Sequence, residues 1–473
     1  MKYFPTIGLE VHAELHTKSK MFCGCLNAPH VSEINANTCP VCLAHPGTLP
    51  VPNQEAIQMV LLFGQAIGST KADYSEFDRK NYFYPDIPKA YQISQNAFPF
   101  LTGGNVNGIE ITQVHLEEDT ARSSHDQGVE SLVDFNRAGV PLMELVTEPV
   151  IHDAKTAGDF GRELQLLLRT LGVSEANMER GEMRVEANIS ISPVEGELGT
   201  KVEVKNINSF KAVEAAIAYE IERHTKMLDN GEVILQQTRG WDENKNQTFA
   251  QRSKETAKDY RYFADPDIPK LKVSEITEFS ESVLAEKIPI LPSKKRELYR
   301  SYKISDQIIE TIIADQYTDR LFAEVSERLH EVGNIDAIAL ASNYLSVDLV
   351  TILASADVDR DQLQAESFVE LMLLTQSGVI GSKGTKELLP RLFGLTGKVE
   401  ALAQELGLIQ NSDPEALRVL VVDIIASNPT QVAEVQSGKE SVLKYLVGQG
   451  MKLSQGSANP GVLEQLLKDE ISK

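Results

Sequence analysis

All four cysteines of the chain lie within residues 23–42. Cys23-Gly-Cys25 is separated by thirteen residues from Cys39-Pro-Val-Cys42. Two closely spaced pairs of thiols are the ligand pattern of a Cys₄ zinc site, and cytosolic proteins rarely keep disulfides. The alternative is four unrelated cysteines in a hydrophobic core. Because four thiolates leave no open coordination position, the predicted zinc loop is structural.

Ionisable side chains alternate with apolar ones in four segments, residues 7–15, 109–119, 182–191 and 202–208. In the first segment, glutamate and histidine alternate with isoleucine, leucine and valine. A period of two predicts half-buried β-strands. The polar face of such a strand is ordinarily only hydrated, and this alternative stays open for each strand taken singly.

Carboxylates that converge from several strands would indicate a cation site. Two carboxylates ~4 Å apart repel by roughly 4 kcal/mol at an effective dielectric constant near 20, and a bound cation or a proton relieves this repulsion. Oxygen-rich sites with one imidazole suit Mg²⁺ or Mn²⁺, and many ATP sites hold Mg²⁺ through a few carboxylates. The sequence has no G-x-x-x-x-G-K-[ST] motif, which argues against a P-loop. The pattern therefore predicts an acidic sheet face that holds Mg²⁺ and nucleotide.

These segments belong to a first domain of mixed structure. Two helices are predicted within it, over residues 155–172, which end at a glycine, and over residues 209–228, with Ser209 as the N-cap. The Pro-containing segment 288–292 ends this part, and the periodicity beyond it is helical, with a second break near residues 407–414. The predicted class is α+β, with three parts: a sheet domain over 1–292 that contains the zinc loop, a middle helical domain over 293–407, and a helical tail over 408–473.

Charge and hydropathy restrict the environment of the protein. The 473 residues carry a net charge of -22, so a nucleic acid would be bound only at a local face or together with a partner. The tail is closer to neutral, with six Lys or Arg against eight Asp or Glu. No apolar run reaches the ~18–20 residues of a membrane span, and no signal peptide is recognisable. We therefore expect a cytoplasmic protein with no membrane partner.

One long motif connects the chain to a known family. Leu132-Val-Asp-Phe-Asn-Arg-Ala-Gly-Val-Pro-Leu-Met-Glu-Leu145 resembles the signature of the B subunits of the glutamyl/aspartyl-tRNA amidotransferases. Further blocks similar to this family follow its order from end to end: Ile7–His12, Phe77–Asp86, Lys89–Gln95, His115–Asp119, Arg184–Ser190, Glu203–Phe210, Asp259–Phe263, Leu446–Lys452 and Gly456–Pro460.

The resemblance implies a fold and a reaction. The fold is a large antiparallel-sheet cradle, similar to glutamine synthetase and the guanido kinases, followed by helical domains with a YqeY-like tail. The reaction is the conversion of Glu-tRNA(Gln) to Gln-tRNA(Gln), or of Asp-tRNA(Asn) to Asn-tRNA(Asn). In this family the B subunit uses ATP and Mg²⁺ to phosphorylate the side-chain carboxylate. Ammonia then displaces phosphate; the A subunit, which is an amidase, supplies it through a channel, and a small third protein, the C subunit, makes up the heterotrimer.

The resemblance also implies roles for residues. The catalytic candidates are Glu10, His12, Glu117, Glu118, Glu186 and Glu203, and all of them except Glu117 are assigned as Mg²⁺ ligands. The candidates for contacts to ATP or to the aminoacyl end are Arg79, Lys80, Tyr82, Lys89, Tyr91, Arg137 and Lys205. The structural zinc ligands are Cys23, Cys25, Cys39 and Cys42. For a single Lys or Tyr, a solvated or packing role is an equal alternative, and Asp134 and Glu144 are expected to be structural partners of Arg137.

Two departures and two alternatives accompany this assignment. Ala264-Asp265 stands where the family usually has Pro-Glu, and many members lack the cysteines, so zinc is not expected to take part in the chemistry. The alternative for the whole chain is a non-catalytic tRNA-binding scaffold subunit. For the tail, we expect tRNA binding by basic residues on one helical face, helped by the glycines of Gly448-Gln-Gly-Met-Lys452 and of the turn Gly456-Ser-Ala-Asn-Pro460. The alternative is a domain that only packs on its neighbour.

Overall fold

The computed structural model describes residues 3–30, 32–124, 130–253, 259–355, 358–454 and 456–472. The chain divides into two compact units, Met1–Pro292 and Ser293–Lys473. The first unit contains every strand that the structure describes, and the second is helical. The α+β class is therefore confirmed.

The strands are, in chain order, β1 Phe4–Glu14, β2 Thr70–Lys71, β3 Tyr74–Ser75, β4 Asp78–Asn81, β5 Tyr91–Ser94, β6 Leu101–Thr102, β7 Asn105–Val106, β8 Ile109–Glu118, β9 Arg122–Ser124, β10 Leu132–Asp134, β11 Pro141–Thr147, β12 Met183–Ser192, β13 Val202–Ile207, β14 Gln237–Asp242, β15 Gln247–Ser253, β16 Phe263–Ala264 and β17 Leu271–Lys272.

The α-helices are α1 Gln54–Ala66, α2 Ala154–Thr170, α3 Phe210–Asp229, α4 Glu281–Ala285, α5 Pro292–Ser301, α6 Asp306–Ile313, α7 Gln316–Glu331, α8 Ile335–Asn343, α9 Val350–Ser355, α10 Ala365–Gln376, α11 Ser382–Leu388, α12 Val399–Glu405, α13 Pro414–Ser427, α14 Pro429–Gln436, α15 Glu440–Leu453 and α16 Pro460–Ile471. A π-helix over Tyr344–Leu349 joins α8 to α9.

A ten-stranded sheet dominates the first unit, in the order β15-β14-β13-β12-β1-β11-β8-β6-β2, with β7 paired to β8. Its pairs are antiparallel except for the parallel pair β13–β14, so the predicted antiparallel sheet is mixed at this one place. The long strands β1, β8, β11 and β12 lie next to one another. The strand that begins the chain is therefore at the centre of the sheet.

The two faces of the central strands have opposite character. On β1, Ile7, Leu9 and Val11 are at most 1% exposed and belong to a core that also contains residues of α2 and α3. Burying one such side chain contributes about 1.5–3 kcal/mol. The intervening residues of β1 lie on the other face, because side chains alternate along a strand. The core thus fixes which face carries the ionisable groups.

Both helices predicted in this unit are present, with the predicted ends displaced by one or two residues. Asp153 caps α2 by accepting a hydrogen bond from the Thr156 amide at 2.8 Å. Ser209 caps α3, as predicted, by accepting one from the Ala212 amide at 3.1 Å. Each cap satisfies an amide that has no partner within its helix.

The second unit has a separate buried cluster near its end, formed by Leu417, Val421, Ile424, Leu446 and Leu463 together with their neighbours. The described part of this unit is one compact body, so the predicted division at residues 407/408 stays a prediction.

One helical stretch, Ile335–Ser355, is long and apolar enough to cross a membrane by length and composition. Core helices pass the same test, and 39% of its most apolar window is buried within the protein. It is therefore weak evidence for a membrane span.

Candidate active site on the polar face of the central sheet

The polar face of the central strands carries a row of ionisable side chains that we call the His12 row: Arg184, His12, Glu144 and His115. His12 lies opposite Arg184 on β12 and opposite Glu144 on β11, and Glu144 lies opposite His115 on β8. Directly opposed residues of an antiparallel pair project to the same face. Strand register alone therefore brings together residues that are up to 172 positions apart in the chain.

Glu144 is the centre of the row. Its Oε2 lies 2.9 Å from Nε2 of His115 and 3.3 Å from Nε2 of His12. Burial raises the pKa of Glu144, but the charges and hydrogen bonds of His115 and His12 outweigh it and hold that pKa well below its usual range. Burial lowers the pKa of His12, but the hydrogen bond and charge of Glu144 and the charge of Glu117 raise it to about 9. Despite its burial, the pKa of His115 is raised as well, mainly by the charge of Glu144, so the Glu144 carboxylate and the two imidazoles stabilise one another's charged forms.

A second group of carboxylates adjoins the row on the β12 side, and we call it the Glu10 group: Glu10, Glu186 and Glu203. One oxygen of each lies within 4.8 Å of the others. Burial, Glu144 and Glu186 raise the pKa of Glu10 to about 7. Lys205 bonds to Glu186 and lies 3.6 Å from Glu203, so one ammonium group contacts two of the three carboxylates.

Lys205 lies at the start of a bulge in β13. The register of β12 against β13 shifts between Val185 and Ala187, and Asn206 adopts a positive φ of 61°. Asparagine tolerates this left-handed conformation better than most residues, and bulges re-aim side chains. Because Val204 lies opposite Ala187, Lys205 lies opposite Glu186 and donates to its carboxylate from the neighbouring strand.

The donor set fits a cation. Three groups on this face have ligand atoms within 4.8 Å of one another: Glu10, His12 and Glu144; His115, Glu117 and Glu144; and Glu10, Glu186 and Glu203. Nδ1 of His12 and Nδ1 of His115 are buried without a hydrogen-bond partner. Clustered carboxylates, one of them with a raised pKa, and buried orphan nitrogens are the features expected where a cation and further ligands complete a site.

Glu118 does not join these groups. It follows Glu117 directly in β8 and therefore points to the opposite face of the strand. Its carboxylate accepts hydrogen bonds from Nζ of Lys89 at 2.7 Å and from the amide of Ile93 at 3.1 Å. We therefore correct its assignment: Glu118 is not a ligand of the same cation as Glu10 and His12, and Glu144 takes its place in the hypothesis.

The predicted partners of Arg137 are also wrong. Its guanidinium donates to the carbonyls of Thr120 and Ala121 at 3.0 and 3.1 Å and lies 3.8 Å from Asp119. Asp134 instead accepts from the amides of Asn35 and Asn136. Arg137 thus holds the turn that follows β8 and is half-buried there.

Arg79, Lys80 and Tyr82 lie on β4 or just after it. Arg79 is bound by Asp265 at 2.8 Å and by Asp267 at 2.8 Å, and its guanidinium lies 4.4 Å from the centre of the Tyr91 ring. Both Asp residues stand in the segment where this chain departs from the family pattern. The guanidinium of Arg79 therefore already has two carboxylate partners, and its contact to ATP or to the aminoacyl end stays a prediction.

Lys80 is directed to the acidic face. Burial lowers the pKa of Lys80, but the charges of Glu117, Tyr262 and Glu144 raise it above its usual range. Its Nζ lies 5.2 Å from the centre of the Tyr260 ring, and Tyr82 packs edge-on against the same ring. The structure thus brings Lys80 and Lys205 to the carboxylates, whereas Lys89 lies with Glu118.

The zinc loop brings its four cysteines together, with the sulfur atoms within 4.8 Å of one another. The Cys39 amide donates to Sγ of Cys42 at 3.2 Å, and the fully buried Lys20 places Nζ 3.8 Å from the same sulfur. A hydrogen bond from Cys23 lowers the pKa of Cys42 to about 4. The arrangement is compatible with a structural metal ion.

The glycines of the tail do not act as expected. Gly448 and Gly450 lie inside α15, where helix hydrogen bonds use their amides. A Cβ on Gly450 would come within 2.3 Å of Leu463, so this glycine allows close helix packing. The rationale that these glycines offer amides to phosphate is wrong, and tRNA binding by the tail stays a prediction.

Sequence reasoning missed Glu144 and Arg184 as site residues and treated His115 only as part of a motif. The signal for Glu144 was a single carboxylate in the otherwise apolar run Pro141–Thr147, which is buried on both faces.

Comparison with known proteins identifies the family. Residues 5–278 match the GatB/GatE catalytic domain family and residues 321–471 match the GatB domain family. The B subunit of the aspartyl/glutamyl-tRNA(Asn/Gln) amidotransferase of Thermoanaerobacter sp. (strain X514) is 39% identical over 100% of both chains. The proteins of the same name from Caldanaerobacter subterraneus subsp. tengcongensis and Brevibacillus brevis are 40% and 41% identical, over 100% of this chain and 100% and 99% of their own. The chain therefore belongs to the family of B subunits of the tRNA-dependent amidotransferases.

Proposed function

We propose that the chain phosphorylates the side-chain carboxylate of Glu-tRNA(Gln) or Asp-tRNA(Asn) at the polar face of the central sheet, and that the activated carboxyl is amidated there. The observation that carries this proposal is the convergence of the His12 row and the Glu10 group, with Lys80 and Lys205, on one face. A scaffold subunit that only bound RNA would gain nothing from carboxylates gathered at such electrostatic cost.

The chemistry needs an activated leaving group. An oxygen of the substrate carboxylate attacks the γ-phosphorus of ATP, ADP leaves, and a mixed acyl phosphate forms. Ammonia then adds to the acyl carbon, inorganic phosphate leaves, and a proton is lost from nitrogen. In phosphoryl transfer, the protein mainly positions groups and neutralises charge.

The residues of this face have two proposed roles, binding of Mg²⁺ and supply of positive charge. Bound Mg²⁺ would neutralise the charge of the phosphates. Glu10, His12, Glu144, Glu186 and Glu203 would hold it, with Glu117 adjacent to both imidazoles. Lys80 and Lys205 supply positive charge at the edges of the carboxylate groups, where transferred phosphate or substrate carboxylate would lie.

The remaining assignments concern the surroundings of the site. Tyr82 and Tyr91 are proposed contacts of the aminoacyl end or terminal adenosine, and Lys89 and Arg137 of phosphate or carboxylate. Cys23, Cys25, Cys39 and Cys42 would hold a structural Zn²⁺.

The names of the relatives support an assembly. A protein that is named as one lettered part of an amidotransferase works in a complex with the other parts. We propose three partners: an amidase as the A subunit, which delivers ammonia through a channel, a small protein as the C subunit, and misacylated tRNA. The place of action would be the cytoplasm, where tRNA is charged.

The test uses the purified complex with Glu-tRNA(Gln), Asp-tRNA(Asn) and the uncharged tRNAs. We expect ATP hydrolysis that depends on at least one misacylated tRNA and formation of the amidated product in the same amount as ADP. Product formation without ATP hydrolysis by a complex that contains this chain would overturn the proposal. Loss of product but not of ATP turnover when this chain is omitted would favour the scaffold alternative.

A further inference from the structure

Four tyrosine rings form a continuous row beside the candidate active site, and we call it the tyrosine chain: Tyr84, Tyr82, Tyr260 and Tyr262. The ring of Tyr82 packs edge-on against those of Tyr84 and Tyr260, with ring centres 6.0 and 5.8 Å apart. The ring of Tyr260 packs in the same way against that of Tyr262, at 6.0 Å. The tyrosine chain thus joins residues 82–84 to the segment 259–263, which has no role in the proposed mechanism.

The tyrosine chain begins at the carboxylates of the polar face. Strand β16 pairs with β4, and the continuation of their register puts Tyr262 beside Lys80. Nζ of Lys80 lies 5.2 Å from the centre of the Tyr260 ring. Burial and the charges of Glu117 and Glu144 raise the pKa of Tyr262 to about 12, although the charge of Lys80 opposes them. A ligand that reaches the carboxylates past Lys80 would therefore lie against these rings.

The outer part of this surface is exposed. Tyr84 is 51% exposed, Tyr262 is 37% exposed, and Phe83, between two members of the tyrosine chain in the sequence, is 81% exposed. Large aromatic rings that are clustered and uncovered usually mark a binding surface, and tyrosine suits such a surface because its ring is apolar and its hydroxyl is polar.

A positive charge without a protein partner lies within the tyrosine chain. Arg261 has a φ of 47°, a left-handed conformation that is uncommon for arginine. Nδ2 of Asn81 donates to the carbonyls of Arg261 and Tyr260 at 2.8 and 3.1 Å, and the Arg261 amide donates to the Asp259 carboxylate at 3.0 Å. These bonds hold the strained backbone. The side chain of Arg261 is exposed and has no partner among the described residues.

Aromatic rings next to a free guanidinium have the chemistry that binds single-stranded nucleic acid. Bases stack on the rings, and the cation contacts the phosphates. The aminoacyl ester is carried by the last nucleotide of tRNA, and the nucleotides before it are unpaired. They must lie close to the site at which the carboxylate reacts. The adenine of ATP would cover one ring only, whereas several rings and a cation in a row fit consecutive nucleotides.

We propose that the tyrosine chain and Arg261 bind the unpaired nucleotides that precede the aminoacylated end of tRNA. Bases stack on the exposed rings of Tyr84 and Tyr262, and Arg261 contacts a backbone phosphate. This inference rests on the proposed function and adds to it the surface that leads the end of the tRNA to the carboxylates. It concerns other nucleotides than the terminal adenosine, for which Tyr82 is a proposed contact.

The test varies both partners of the stacking contact. The complex is assayed with the misacylated tRNA that it amidates and with the same tRNA made abasic, in turn, at each of the three nucleotides before the terminal adenosine. For the unchanged protein, we expect kcat/KM to fall about 5- to 100-fold for at least one abasic tRNA, the range for one stacked base. Tyr84→Ala should lose a similar factor with the intact tRNA and add less than about threefold to that abasic loss. Tyr84→Phe, which keeps the ring, should stay within about twofold of the unchanged protein.

The phosphate contact is tested by Arg261→Gln. The slope of log kcat/KM against log salt concentration should become shallower by about 0.7, the value for one phosphate contact to a single strand. The control variant is Phe249→Ala, which removes an exposed ring from the edge strand β15 and should match the unchanged protein in every assay.

Three results would show that the inference is wrong while the proposed function stands. The first is an unchanged complex that tolerates all three abasic tRNAs, or a Tyr84→Ala complex with normal kcat/KM. The second is a loss in Tyr84→Ala that appears as a higher KM for ATP, which would place adenine on the rings. The third is a Tyr84→Ala chain that no longer assembles in gel filtration, which would make the rings a protein interface.

An unchanged complex that neither hydrolyses ATP nor forms product with the intact misacylated tRNAs would instead refute the proposed function itself. If Tyr84→Ala does not fold, the abasic tRNAs with the unchanged protein and the salt dependence of Arg261→Gln still decide the question.

Discussion

The zinc loop and the polar face of the central sheet both gather potential metal ligands, but they do so in opposite ways. The zinc loop takes its four sulfurs from residues 23–42, and local turns hold them. The polar face takes its ligands from β1, β8, β11, β12 and β13, over residues 10–203. The ligands of the loop come from one short segment, whereas the ligands of the face come together only in the complete sheet.

The two sites also differ in how they affect the stability of the fold. Four thiolates would be closed around one ion, which stabilises the fold when bound. The Glu10 group instead keeps repelling carboxylates close together, and the raised pKa of Glu10 shows that its ionised form is unfavourable there. We expect the first site to serve stability and the second to serve chemistry at some cost in stability.

The largest effect is expected from neutralising the sheet face. Glu10→Gln and Glu186→Gln should each lower tRNA-dependent ATP hydrolysis and amidation by about 100- to 1000-fold, because a catalytic cation contributes several kcal/mol to the transition state. Glutamine hydrolysis by the assembled complex should persist. Metal-free Glu10→Gln should unfold at the same temperature as the unchanged chain or a higher one.

Steady-state rates and calorimetry of these variants test this expectation, with Glu195→Gln as the control. Normal ATP turnover in both variants would remove the sheet face from the chemistry. A large loss of thermal stability in Glu10→Gln would contradict the contrast between the two sites.

The opposite pattern is expected for the zinc loop. Cys39→Ser should remove the bound metal, which should be about one zinc per chain in the unchanged protein. The midpoint of thermal unfolding of the first unit should fall by about 5–10 °C, as expected for a loss of a few kcal/mol. The kcat of the protein that stays folded at low temperature should change by less than about threefold.

Elemental analysis and calorimetry measure this prediction. Four freely titrating thiols and no metal in protein isolated without chelator would show that the loop is not a zinc site. A loss of kcat comparable to that of Glu10→Gln would give the loop a catalytic role.

The helical tail, residues 408–473, differs from both sites because no cluster of potential metal ligands lies among its described residues. Removing residues 413–473 keeps the bridge between Ile380 and Ile409 and should leave the first unit folded. The affinity of the complex for tRNA should fall by about 10-fold, with a shallower dependence on salt, because phosphate contacts are lost. Glutamine hydrolysis and zinc content should not change.

Binding at two salt concentrations measures this effect. The variant Lys444→Ala/Lys452→Ala, which removes two charges from α15 without deleting its helices, should reproduce part of the loss. Equal affinity and equal salt dependence for full and truncated complexes would restrict the tail to packing.

The smallest expected effect is the change of Mg²⁺ affinity with pH. A carboxyl whose pKa is raised to about 7 must lose its proton to bind Mg²⁺, so affinity should rise with pH through that value. Between pH 6.5 and 8 we expect about a fourfold gain in Mg²⁺ affinity, which Glu10→Gln should abolish. In the metal-free protein, Glu10 holds its proton more tightly when folded, so its contribution to stability is lost as pH rises through about 7.

Titration calorimetry at the two pH values measures the gain. A pH-independent affinity would show that Glu10 is not a ligand.

The sequence predicted the elements of the site better than their arrangement. Alternation identified β1, β8, β12 and β13, because one face of each is core. It could not reveal β11, whose side chains are buried on both faces, and so it missed Glu144 between the two histidines. It also grouped Glu118 with Glu117, although adjacent residues of a strand point apart.

Which strands are neighbours is a property of register, and no local pattern contains it. The pairing of His12 with Arg184 and Glu144 depends on the packing of the whole apolar face against α2 and α3. The zinc loop could be predicted from the sequence because its four ligands are close together in the chain.

The central position of β1 has a consequence for the synthesis of the protein. Glu14, its last residue, precedes Pro141, the first residue of β11, by 127 residues, and β12 is made later still. At about 5–20 residues per second, β1 waits roughly 6 to 25 s before its first long partner strand in the central sheet is translated. During that interval α2 and α3, which share a core with Ile7, Leu9 and Val11, have not been made either, so the nascent chain exposes the strand that carries part of its candidate active site. A chaperone that holds this segment on the ribosome would raise the yield of active protein more than one that acts on the finished chain.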